Sequence, residues 1–228
     1  MHQLQKFQKN QKLQKKKMKT DARSKILNRI AAVRRQTDAA FSFDDLNNED
    51  IYKPVLPDAV TCFKTELEAI SGKCEVCVLE NDVFIKLADF LQINNLLPVF
   101  CRDTDIQKKL IQNNIPFTDK ESDFETMRSG VTGCELLVAR TGSVLVTSAG
   151  DSGRQMNVFP PVHIVLATTS QLVNYPGDAL EAIRKRYGNN LPSAITTITG
   201  PSRTADIEKT LVLGAHGPKE FVVFLSEK

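Results

Sequence analysis

Gly200-Pro-Ser-Arg-Thr-Ala-Asp-Ile-Glu208 is the densest group of side chains able to do chemistry, and it directly follows the apolar run Ala194 to Ile198. A glycine beyond the carboxyl end of a strand lets the backbone approach a ligand closely, and a following helical turn presents free N–H groups to an anion. Ser202 and Thr204 add hydroxyls, Asp206 adds a carboxylate, and Arg203 adds a planar fork suited to phosphate or carboxylate. The competing reading pairs Arg203 internally with Asp206 or Glu208, so that it only braces the turn. Shortly after comes Gly214-Ala-His-Gly-Pro218, where two glycines permit unusual backbone angles and an imidazole is free to reach a cleft. His216 is the best general acid/base candidate, against a tight turn in which it bonds only to backbone. Arg203 and His216 are therefore the candidate catalytic residues. Gly200, Ser202, Thr204, Asp206, Gly214 and Gly217 are the candidate ligand contacts.

A second loop, Ser148-Ala-Gly-Asp-Ser-Gly-Arg-Gln-Met-Asn157, combines two glycines with hydroxyls and a cation. Such a loop can turn its N–H groups toward an anion with Arg154 as charged donor, or it can be a plain surface loop. His163 sits among Val162, Ile164 and Val165, which fits a hydrogen-bonded core histidine better than a ligand. Cys74 and Cys77 form a C-x-x-C inside an expected strand, where residues three apart face opposite sides; two core thiols are expected rather than a chelate or redox pair. No metal ligand set is expected, and no closely spaced cysteines are present to hold an iron–sulfur cluster. H-E-x-x-H, G-x-S-x-G and Walker patterns are missing, which excludes zinc proteases, α/β-hydrolases and P-loop NTPases.

The elements that position these residues follow from periodicity. Ile26, Leu27, Ile30 and Val33 recur at helical spacing after Asp21. Asp38 to Pro57 has the composition of an irregular connector, pinned by Phe41, Phe43 and Tyr52. A helix is expected over 58–70, ending near Gly72, then a strand over 74–79 and a helix capped by Asn81 that buries Val83, Phe84, Leu87, Ala88 and Leu91. Leu97 to Cys101 predicts a strand, and Asp103 to Asn113 a helix with Ile106, Leu110 and Ile111 inward. Such alternation implies βαβ units and a parallel sheet. Glu135 to Ala139 and Ser143 to Thr147 predict a hairpin, adding antiparallel pairing. Val162 to Thr168, Ala194 to Ile198 and Phe221 to Leu225 complete one sheet, with a helix over Asp178 to Tyr187 ending at Gly188.

The net charge of +3 misleads, because residues 1–17 hold six lysines and no acid, leaving 24 basic against 27 acidic residues in the remainder. That Lys/Gln-rich leader reads as a disordered tail, with Met18 a more ordinary start, so the first 17 residues are expected to be an upstream-start artefact or an appended segment. With the positive charge in low-complexity sequence, nucleic acid is discounted as a partner. Five cysteines spread over 228 residues fit reduced thiols, and no membrane-spanning run is present, so a cytoplasmic protein is expected.

Thr132-Gly133, Thr141-Gly142-Ser143, Pro160-Pro161-Val162-His163, Gly200 to Glu208 and Leu211 to Pro218 together resemble the LUD domain of LutC-type lactate utilisation proteins, over roughly Ala22 to Leu225. The resemblance implies an α/β fold, a mixed sheet with flanking helices of the NagB/RpiA/CoA-transferase-like type. It divides the chain into a leader (1–17), an N-terminal helix and connector (18–57) and a LUD domain (58–228). It also implies a cluster-free component of a system oxidising L-lactate to pyruvate, binding a small anionic molecule, with no cofactor in this chain and iron–sulfur clusters on partner proteins. The superfamily admits a different function, an independent enzyme acting on a phosphorylated or CoA-linked small molecule. A scaffold without activity is the third. One position departs: the residue before the Thr-Gly pair, commonly acidic in the family, is Arg140, so a carboxylate mechanism resting there does not carry over.

Overall fold

The apolar runs at 162–168 and 220–226 lie side by side in parallel at the centre of a six-stranded sheet in the computed structural model, which describes residues 23–31, 53–204 and 212–227. The chain divides into two units, Met1–Tyr52 and Lys53–Lys228. In the first, residues 23–31 form a helix, α1, as the spacing of Ile26, Leu27 and Ile30 predicts. The leader, Val33, Phe41, Phe43, Tyr52, Asp206 and Glu208 lie outside the described residues.

In the second unit, Asp58 caps α2 (Ala59–Ala69) by accepting from the Thr61 N–H at 2.9 Å. Then follow β1 (Lys73–Cys77), α3 (Glu80–Ile93), β2 (Val99–Phe100), α4 (Thr104–Gln112), β3 (Phe117–Thr118) and β4 (Ser129–Thr132). The hairpin strands β5 (Leu136–Val138) and β6 (Ser143–Thr147) precede β7 (Val162–Thr168), β8 (Leu172–Val173) and α5 (Pro176–Tyr187). The chain closes with β9 (Ile195–Ile198), a ribbon of β10 (Arg203–Thr204) and β11 (Val212–Leu213), and β12 (Glu220–Ser226).

The parallel sheet runs β1-β12-β7-β4-β2-β3, and both its faces are covered, which explains why β7 and β12 are apolar almost throughout. Val222, Phe224 and Ile164 face α3 and α4, packing on Val83, Phe84, Leu87, Leu91, Ile106 and Leu110. Phe221, Val223, Leu225 and Val165 face α2 and the inner side of a second sheet, on Phe63, Leu67, Leu137, Val144 and Val146. That second sheet, β8-β5-β6-β9, turns its outer side, Leu136, Val138 and Leu145, to Ala179 and Ile183 of α5.

Four expectations need correction. The antiparallel pairs do not extend the parallel sheet: β9 pairs with β6 in the separate four-stranded sheet, because the hairpin has two apolar faces and stacks between the main sheet and α5. The first strand stops at Cys77, leaving Val78 and Leu79 exposed. Asn81 does not cap α3; the helix begins at Glu80, whose carboxylate with that of Asp82 complements the positive helix end instead. Ile111 points outward, since only Ile106 and Leu110 of α4 meet the sheet.

Cys74 and Cys77 fall into the two layers on opposite sides of the sheet, as the strand period requires. Burial pushes the thiols of Cys74 and Cys101 up to about 12. Ellman's reagent at pH 8 should therefore label both only as fast as the domain unfolds. Rapid labelling of either thiol in native protein would contradict their place in the core.

Candidate functional site

The two glycine-rich motifs meet. The Ser202 N–H donates to the Pro218 carbonyl at 2.8 Å and the Gly214 N–H to the Ser202 carbonyl at 2.9 Å, closing the base of the β10–β11 ribbon. Gly217 packs on Ser202, where a Cβ would lie 3.0 Å from the serine Cβ. Gly200 adopts a left-handed φ of 78° against the Ile70 carbonyl at the end of α2. The Arg203 guanidinium is exposed and donates to Ser71 Oγ at 3.1 Å, beside the same helix end, where a cation is favoured. His216 is exposed at the ribbon base. Thr204 belongs to β10, while the suggested pairing of Arg203 with Asp206 or Glu208 falls outside the described residues.

This cluster lies at the amino end of the parallel sheet, because the Lys219 N–H donates to Pro161 just before β7 and β12 begin. Arg154 is elsewhere. Its guanidinium donates to Ser193 Oγ at 2.6 Å, ahead of β9, which starts alongside Thr147. Seven-residue strands separate the two ends by roughly 20 Å. The structure therefore brings Gly200, Ser202, Arg203, Gly214, His216 and Gly217 together, and leaves Arg154 on a different surface.

At the carboxyl end, where open α/β sheets place their ligands, is a two-lobed crevice that the motif search did not assign. Its polar lobe, about 190 Å³, is bounded by Asp103, Thr132, Gly133, Glu135 and the Gly150, Ser152 and Gly153 backbone turn of the loop read as a ligand loop. A second lobe, about 260 Å³, shares Asp103 and Gly133 and continues over Val83, Phe84, Ile106 and Leu166. The loop is tied down from both sides. Asp151 accepts from Thr104 Oγ1 at 3.0 Å, and Gln155 accepts from Arg102 at 3.0 Å, whose guanidinium stacks on Phe124.

Asp103 Oδ1 caps α4, accepting from the Asp105 and Ile106 N–H groups at 3.1 Å. With Asp151 also at that end, the first turn of α4 is already answered by carboxylates. Burial opposes ionisation of Glu135, but donation from Tyr187 and Thr147 together with the Arg186 charge outweighs it and holds its carboxyl below the ordinary value. Burial pushes the Cys134 thiol up to about 12, so it is no thiolate nucleophile at neutral pH. Behind the crevice, His163 is fully buried, with Nε2 2.9 Å from Thr132 Oγ1, and burial pushes its pKa down to about 4. Arg140, before the Thr141-Gly142 pair, forms an ion pair with Glu66 on α2.

Chemically, the ribbon offers a cation and an imidazole open to solvent. The crevice offers hydroxyls and carboxylates in a concave setting. Among the described residues no group of three or more His, Cys, Asp and Glu is placed to hold a metal, and no helix is long and apolar enough to cross a membrane. Asp103 and Thr132 escape sequence reasoning because each is ordinary in its own segment; the available signal was the Thr132-Gly133 pair, which the structure places at the end of β4.

Three comparisons bear on kinship. An uncharacterised protein of Neisseria meningitidis serogroup B is 36% identical over 121 residues, 53% of this chain and 51% of that one. Lactate utilization protein C of Bacillus subtilis is 36% identical over 107 residues, 46% of this chain and 45% of that one. The matched stretches thus span about half of these curated relatives. A crystal structure of a DUF162 family protein from Deinococcus radiodurans superposes with a TM-score of 0.57 at 16% identity, covering 74% of this chain and 96% of that one, which shows a shared fold. The LUD domain pattern matches residues 63–226, nearly the whole second unit, and the chain therefore belongs to the LUD domain family.

Proposed function

We propose that this chain serves lactate utilisation as a cluster-free component working beside iron–sulfur partner proteins that oxidise L-lactate to pyruvate. The observation that carries this reading is its kinship, within the LUD domain family, to lactate utilization protein C of Bacillus subtilis. The thiols are divided between the core layers, Cys62, Cys74 and Cys134 on one side of the main sheet and Cys77 and Cys101 on the other. In this reading Arg203 and His216 on the ribbon receive the small anionic ligand, and the Ser71 hydroxyl orients the guanidinium.

Clean deletion of the gene in the source organism should abolish growth on L-lactate as sole carbon source and leave growth on glucose intact. Unchanged growth on lactate would defeat the proposal. Complementation with Arg203→Ala/His216→Ala should slow growth on lactate at least about tenfold, the loss of one charge-assisted contact or more. Full complementation by a double variant that melts like the parent would remove the ribbon from the anion site while leaving the pathway assignment standing.

A further inference from the structure

The Thr132–His163 pair carries one hydrogen too many. A neutral imidazole bears one N–H and threonine one O–H, yet the two residues share a single hydrogen bond, 2.9 Å long. Among the described residues Thr132 Oγ1 has no other partner, and His163 Nδ1 is buried with none. If Thr132 donates to Nε2, the orphan is an N–H in the core, the costliest kind of unpaired group. If Nε2–H donates to Thr132, Nδ1 is left with only an unused lone pair, and the spare hydrogen moves to the hydroxyl of Thr132, a residue of the crevice lining. The second arrangement costs less.

The same lobe holds a spare acceptor. Asp103 uses Oδ1 to cap α4, while Oδ2 has no hydrogen-bond partner among the described residues and lies 3.7 Å from where a Gly133 Cβ would be. No lysine or arginine borders the polar lobe, and the Glu135 charge is answered by Arg186. Ser152 and Asn157 add a hydroxyl and an amide to the same lobe, and Lys109 of the adjoining lobe is paired with Glu80, so neutral donors beside a carboxylate acceptor suit a compound bearing several hydroxyls better than an anion.

We propose that this crevice binds a small uncharged polyhydroxy compound, with Thr132 donating to one ligand oxygen, Asp103 accepting from a ligand hydroxyl, and His163 as the positioning residue that aims Thr132. The site is separate from the ribbon, so its failure leaves the lactate reading untouched.

Side-chain ¹⁵N NMR of the full chain tests it, with the His163 signal assigned by comparison with His163→Gln. The ring should show the Nε2–H tautomer. Titration with glycerol, D-ribose and D-glucose should give a saturable shift with at least one of them, while L-lactate and inorganic phosphate bind at least tenfold more weakly. Thr132→Val should weaken the polyol about tenfold. Gly133→Ala should do the same by narrowing the junction of the lobes, and it keeps the fold, since its Cβ meets only ordinary contacts at 3.7 and 3.9 Å. An Nδ1–H tautomer, no saturable shift with any polyol, tighter binding of lactate or phosphate, or undiminished affinity in folded Gly133→Ala would each overturn the proposal.

Discussion

Gly142→Ala is expected to destabilise the domain by about 3 kcal/mol or more, read as a large drop in the urea midpoint at unchanged slope. Gly142 ends the short turn after β5 in the left-handed region, at φ 57° and ψ 33°. An alanine there costs about 1 kcal/mol for the backbone alone. Its Cβ would also stand 2.2 Å from the Leu67 nitrogen and 2.6 Å from the Glu66 carbonyl carbon. These are backbone atoms of α2, so no rotamer change relieves the overlap and the helix itself must move. Moving α2 disturbs Phe63 and Leu67 in the core and the Glu66–Arg140 ion pair. It also disturbs Ile70 and Ser71, against which Gly200 and Arg203 of the ribbon rest. Gly153→Ala is the matched control: φ is 62°, but nothing lies within 4 Å of the added Cβ, so only about 1 kcal/mol is expected. Equal midpoints for the two variants would mean that α2 does not approach the turn as closely as described.

That close approach shows what the sequence could and could not disclose. The Thr141-Gly142-Ser143 turn between two apolar runs announces a hairpin, and β5 and β6 form it. The identity of the element pressing on the glycine is a long-range fact, since α2 lies some seventy residues earlier in the chain. β7 and β12 are legible for a related reason: covered on both faces, they are apolar at nearly every position, and β7 has the bounds composition predicts while β12 runs one residue further at each end, to Glu220 and Ser226. The run 74–79 misleads because apolar character alone does not say where sheet pairing stops; β1 ends with Cys77, and Val78 and Leu79 emerge into solvent.

The candidate site divides along the same line. Gly200, Ser202, Gly214 and Gly217 stand out by residue type, and the ribbon does join their two segments. The carboxyl-end crevice takes Asp103 from the loop after β2, Thr132 to Glu135 from the end of β4 and its loop, and six residues between Val146 and Asn157 from β6 and its loop; the parallel register of β2 and β4 and the stacking of the second sheet on the first bring them together. Asp103 looks like a helix cap because it is one. Its second oxygen acquires significance only from Gly133, thirty residues away, whose missing side chain leaves the junction open. Sequence reasoning locates the loop Ser148 to Asn157 through its glycines, hydroxyls and Arg154; Gly150, Ser152, Gly153 and Asn157 line the crevice, while the arginine bonds to Ser193.

His163 ties this crevice to pH. Its imidazole has an ordinary value of 6.5 and is held at about 4 in the folded domain by burial alone, with no charged neighbour contributing. Between those values the unfolded chain binds one proton that the native state refuses. Stability from this residue is therefore complete above pH 6.5, falls by about 1.4 kcal/mol per pH unit on acidification, and levels off below pH 4. Acidification from pH 7 to pH 5 should cost the parent about 2 kcal/mol more than it costs His163→Gln, measured as the difference in urea-derived stabilities. Glu135 titrates below its ordinary value of 4.5, so its own contribution is lost at lower pH and leaves that window largely to His163. Parallel stability curves for the two proteins between pH 7 and pH 5 would show that the imidazole is not sequestered from water. The structural cause of the loss is definite: a protonated ring donates from both nitrogens, and Nδ1, which has no partner in the core, would then become an unpaired cationic N–H behind Thr132.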